Sequence, residues 1–119
     1  MTGPAQGDDQ RAERLALNEA LARAVNESVD AVASSWFDPD ELVEFHCECV
    51  RVSCADRIPL TRAEYAAVRA DARTFVVRPA HESADVEEVV AHIREFPVVR
   101  KIGLGAQVAE ATDPRSPGS

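Results

Sequence analysis

Apolar residues in the first third of the chain recur at helical spacing. Leu17, Leu21, Val25, Val29 and Val32 follow one another at four- and three-residue steps, which predicts an amphipathic helix from about Asp9 to Ser34. Asp8 and Asp9 suit the positive N-terminal end of such a helix. Glu19 and Arg23 read as an i,i+4 pair in the favourable order. At about six or seven turns, the helix either packs across a sheet or makes a helical dimer contact, and its single narrow stripe favours the sheet. Asp38-Pro39-Asp40 ends it, and Trp36 and Phe37 are expected to fold back onto the core.

The period then falls to two. In the stretch Leu42 to Cys49, residues Val43, Phe45, Cys47 and Cys49 alternate with Glu44, His46 and Glu48, which predicts a strand with Glu48 facing solvent. Arg57–Leu60 reads as a short extended piece, with Pro59 marking an edge. Thr61-Arg62-Ala63-Glu64 is a capping box opening a helix to about Ala70, with Tyr65 and Val68 inward. Thr74–Arg78 is β-branched and aromatic, and Pro79 closes it. Ser83 is expected to cap a second short helix over Ala84–Arg94, with Val86, Val89, Val90 and Ile93 inward. Val98–Ile102 reads as a strand, forming a hairpin with Ala106–Ala111 across Gly103-Leu104-Gly105. The expected fold is α+β: a long N-terminal amphipathic helix plus a small mixed sheet, two short helices and a Cys-rich loop.

The 119 residues bound this to one domain, residues 10–111, between loose polar ends at 1–9 and 112–119. A 45% hydrophobic content suits a folded chain. No apolar run is long enough to span a bilayer. The N-terminus lacks a basic start followed by an apolar stretch, so the expected address is the cytoplasm. The bases are twelve arginines and one lysine, a bias resembling that of high-GC bacterial genomes. Residues 1–50 carry eleven acids and three bases, whereas residues 51–119 balance, so the net charge of −8 belongs to the first half. That field repels phosphate backbones and argues against a nucleic-acid partner, while leaving a protein partner or a homodimer open.

The chemistry is concentrated in C-x-C-x4-C, formed by Cys47, Cys49 and Cys54. On a strand, Cys47 and Cys49 share a face roughly 6–7 Å apart, at the edge of what a disulfide tolerates but within the grasp of a tetrahedral ion. An odd cysteine count in a reducing compartment also disfavours a fixed disulfide framework. Among His46, His81 and His92, the loop residue His81 is the expected fourth donor. His46 should point away from Cys47, and His92 falls within an expected helix. The candidate site is Cys47, Cys49, Cys54 and His81 around one structural zinc ion, which makes the chain a non-catalytic zinc-binding module with its long helix as the surface for a protein partner. The alternatives are a thiol redox sensor using Cys49 and Cys54, and a metal-dependent enzyme with water replacing His81. No phosphate loop, nucleophile elbow or HExxH motif is present.

Several segments together resemble a family of small uncharacterised acidic bacterial proteins, over about residues 11–115. They are Asn18-Glu19-Ala20-Leu21 with Val25-Asn26-Glu27, Phe45-His46-Cys47-Glu48-Cys49, Leu60-Thr61 with Glu64-Tyr65 and Val68-Arg69-Ala70, Phe75-Val76-Val77 leading to His81-Glu82, and Val98-Val99-Arg100-Lys101. The family pattern has Pro-Gly-His where this chain has Pro79-Ala80-His81. The resemblance implies a shared fold and a shared metal site, and supplies no activity.

Overall fold

A computed structural model describes residues 4–51 and 53–115. Within the two expected loose ends, residues 1–3 and 116–119 lie outside the described residues. The fold is α+β, with elements α1 (Pro4–Trp36), β1 (Val43–His46), β2 (Arg57–Leu60), α2 (Arg62–Val68), β3 (Thr74–Val76), β4 (Glu87–Ile93), β5 (Phe96–Lys101) and α3 (Leu104–Ala111). In place of one mixed sheet there are two antiparallel ones, the β1–β2 pair and a three-stranded sheet ordered β3-β5-β4.

The long helix forms, but it begins at Pro4 and buries a different face from the one its apolar stripe predicts. Ala16, Glu19, Ala22, Arg23, Asn26 and Ala33 are buried, whereas Leu17, Leu21, Val25 and Val32 are exposed. The inward face carries charged and polar side chains that meet particular partners. Arg23 donates to the carbonyls of Ala72 (2.7 Å) and Ala109 (2.8 Å), and its guanidinium lies 4.8 Å above the Phe75 ring. Glu19 sits 2.7 Å from Lys101 Nζ, which is 3.5 Å from Glu87. Glu19 and Arg23 are therefore tied separately to the three-stranded sheet and to α3, not to each other on the surface. Trp36 and Phe37 do not fold back and remain exposed.

The core draws on both sheets and on α2, with Phe45, Ile58, Leu60, Tyr65, Phe75, Val76 and Val99 among its buried members. Phe45 and Tyr65 stack with centroids 4.4 Å apart. The capping box is present: Thr61 Oγ1 accepts from Glu64 N (3.1 Å), and Glu64 Oε1 accepts from Thr61 N (2.9 Å).

Two expected elements are exchanged. Residues 87–93 form strand β4, not a helix, and residues 104–111 form helix α3, not a strand. In β4 the register shifts between Val89 and Ala91. This bulge breaks the two-residue alternation and leaves valines at helix-like spacing. β4 and β5 then meet across the two-residue connection Arg94-Glu95, where Arg94 takes φ 54° without the glycine or asparagine that normally advertises such a turn. In α3, Gly105 is buried, and a Cβ there would lie 2.9 Å from Lys101 Cε. The glycine serves close packing over the buried lysine and is not a hairpin turn. Residues 113 and 115 make ion pairs with the helices. Arg115 pairs with Glu27 (2.6 Å), and Asp113 pairs with the buried Arg69.

Burial and the neighbouring Glu87 push the Glu19 pKa well above the ordinary carboxylate value. Above the unfolded-state pKa the folded chain therefore holds a proton that the unfolded chain has released. Unfolding free energy must then fall as pH rises from about 4.5 toward neutrality, by at most about 1.4 kcal/mol per pH unit from this group. Glu19→Gln should flatten that part of the profile, as measured by urea unfolding at a series of pH values.

Candidate metal centre

Cys47, Cys49, Cys54 and His81 converge: one donor atom from each lies within 4.8 Å of the other three. Cys47 follows β1, and its N–H donates to Asp56 O (2.9 Å), which draws the segment after Cys54 alongside. Cys54 returns through a turn in which its N–H donates to Arg51 O (3.1 Å). His81 arrives from the loop after β3. Its Nδ1 is 3.5 Å from Cys47 Sγ and 3.7 Å from Cys54 Sγ. A tetrahedral ion with metal–sulfur bonds near 2.3 Å and a metal–nitrogen bond near 2.0 Å requires sulfur–nitrogen edges of about 3.6 Å. Both distances match that edge.

The strand expected to present Cys47 and Cys49 stops at His46. Beyond it Cys47, Glu48 and Cys49 are all buried, so alternation fails at Glu48. Its carboxylate points inward and accepts from Tyr65 Oη (2.7 Å), Asn26 Nδ2 (2.9 Å) and Val76 N (3.1 Å). Burial raises its pKa against the pull of these donors. Asn26 also bonds both the N–H and the carbonyl of His46 (2.7 and 2.8 Å). The segment is thus fixed to α1, α2 and β3 at once. With every donor directed at Glu48 and no exposed surface, the residue has no open side from which to act as a base.

His81 is positioned by a four-residue turn. Its N–H donates to Arg78 O (3.0 Å), Pro79 holds the second position, and Ala80 takes φ 70° in the third. Proline followed by a positive φ is the type II pattern, whose third position favours glycine. Ala80 therefore bears a backbone cost that glycine at this position avoids.

Two contacts around the cluster were missed in the sequence. Asp56 Oδ2 lies 3.5 Å from His81 Nε2, the arrangement that orients a metal-bound imidazole when its other nitrogen faces the ion. The spacing Cys54-x-Asp56 was its only trace. Arg78 N donates to Cys47 Sγ (3.3 Å), a backbone contact that no side-chain pattern encodes. The hydrogen bond from Cys47 lowers the Cys49 pKa to about 4, while that same bond and burial raise Cys47, and burial raises Cys54. His46 Nδ1 is engaged with Cys47 O (2.6 Å), and His92 is exposed on β4, so neither joins the group.

Compared with family models, with curated proteins and with solved structures, the chain gives no match. Among the described residues, no helix is long and apolar enough to cross a membrane.

Two stability changes should follow. Ala80→Gly should raise unfolding free energy by about 1 kcal/mol by relieving the left-handed alanine. Tyr65→Phe should cost about 1–3 kcal/mol, because a buried carboxylate loses a donor. Chemical denaturation of both variants checks the two signs.

Proposed function

We propose that the chain is a non-catalytic module of the cytoplasm whose fold is fastened by one zinc ion on Cys47, Cys49, Cys54 and His81, and whose role is protein interaction. The observation carrying this reading is the pair of near-tetrahedral edges between His81 Nδ1 and two thiols, with Asp56 behind the ring. Three thiolates and an imidazole are a soft donor set that selects zinc among common intracellular divalent ions. Four protein donors leave no position for an activated water, so the ion is structural. It joins the segment after β1, the turn at Cys54 and the loop after β3, and binding is then part of folding. The long helix with its exposed apolar residues supports the interaction role.

One observation favours a second reading, a thiol switch. The Sγ atoms of Cys49 and the partly exposed Cys54 lie within 4.8 Å of each other, and hydrogen bonding to Cys47 lowers the Cys49 pKa to about 4. A disulfide between them would dismantle the donor set.

Cys54→Ser separates the two. On the zinc reading, protein purified without chelator holds one zinc per chain, and the variant loses metal and melting temperature together. A loss of about 3 kcal/mol corresponds to roughly 10–20 °C in a domain of this size. Metal-free wild-type protein with an unchanged variant melting point, and a reversible Cys49–Cys54 disulfide under mild oxidant, supports the switch and rules out the zinc reading.

A further inference from the structure

The apolar stripe of α1 faces water. Trp36 is 81% exposed, Val32 61%, Leu21 58%, Leu17 49% and Val25 45%. With Phe37, these side chains leave large apolar groups in water along one side of a single helix, the kind of surface that marks an interaction site. Beside the C-terminal half of this stripe runs an apolar groove of about 450 Å³, lined by Val25, Val29, Val32, Ala33, Phe37 and Val43.

The order of residues along the stripe is self-complementary. Reversed on itself about a point between Val25 and Ser28, α1 sets Leu21 against Val32, Leu17 against Trp36 and Val25 against the small Ser28. The same reversal brings exposed Arg14 opposite exposed Asp38 and Asp40. A parallel pairing instead sets Trp36 on Trp36 and places the acidic Asp38-Pro39-Asp40 segments side by side. Large-on-medium apolar contacts inside and opposite charges at the rim are what a two-fold interface requires, since each residue pair then occurs twice. Leu17 and Leu21 of one copy fall where the other copy presents its groove.

We propose that the occupant of this face is a second copy of the chain, in an antiparallel α1–α1 dimer centred between Val25 and Ser28. This deepens the interaction role proposed above by naming the partner, and it does not depend on the zinc ion. The like charge of the two copies, −8 each, is largely screened at physiological ionic strength, whereas the apolar contact is not.

Sedimentation equilibrium of the full chain, over about 1 µM to 1 mM, tests the proposal. A mass of twice 12.9 kDa is expected at the upper concentrations. Leu21→Glu and Val32→Lys should each weaken association roughly 30-fold or more, and Arg14→Glu should weaken it less. All three positions are exposed, and circular dichroism with melting checks that each variant folds. Mixing L21E chains with V32K chains should restore a dimer, because the carboxylate introduced at position 21 of one copy then faces the ammonium introduced at position 32 of the other. A monomer throughout the range overturns the proposal, even if a different protein binds α1. Dimers unaffected by L21E and V32K, or no recovery on mixing, overturn the antiparallel register. Loss of zinc binding in Cys54→Ser with the dimer intact leaves this inference standing, and a monomeric protein that still holds zinc leaves the previous one standing.

Discussion

The buried carboxylate of Glu48 is the constraint on which the site's geometry depends. It lies between Cys47 and Cys49, and its three donors come from α1, α2 and β3. Burying a carboxyl group costs less when its oxygens accept hydrogen bonds. Those bonds specify where the flanking backbone must run. Ordinary strand alternation would place Glu48 opposite its cysteine neighbours. The pull of Asn26, Tyr65 and the Val76 amide ends β1 early, and both thiols are enclosed beside the loops carrying Cys54 and His81.

A similar logic holds the rest of the molecule together. Its helix–sheet contact is not a seam of leucines. Glu19 with Lys101 and Glu87, Arg23 with two carbonyls and Phe75, and Arg69 with Asp113 tie α1, α2, α3, β4, β5 and the C-terminal segment together. Such buried polar groups add less net stability than apolar packing of the same volume, but breaking one partner is costly. On the proposed reading, a zinc ion supplies stability that so polar a core leaves scarce, and the apolar side chains of α1 are free for a partner.

The legible part of the fold was the part where local chemistry and tertiary structure agree. The capping box at Thr61 and Glu64, the strand Arg57–Leu60 and the convergence of Cys47, Cys49, Cys54 and His81 could all be read from residue types and spacing. The register shift at Val89–Ala91 gave β4 a helical pattern, and Arg94 made a turn without turn residues. Gly103 and Gly105 looked like a hairpin but begin a helix. The long helix was read from its period, while its orientation was not. Hydrophobicity marks the face that prefers to leave water, and it cannot report that Glu19, Arg23 and Asn26 find buried partners far along the chain. Asp56 behind His81, and Glu48 turned inward, were hidden for the same reason.

The most direct test of the metal centre is X-ray absorption at the zinc edge on protein purified without chelator. A first shell of three sulfurs near 2.3 Å and one nitrogen near 2.0 Å is expected, with the nitrogen scatterer replaced in His81→Ala while the sulfurs remain. A shell dominated by oxygen, fewer than three sulfurs, or protein that binds no zinc at all would contradict that expectation.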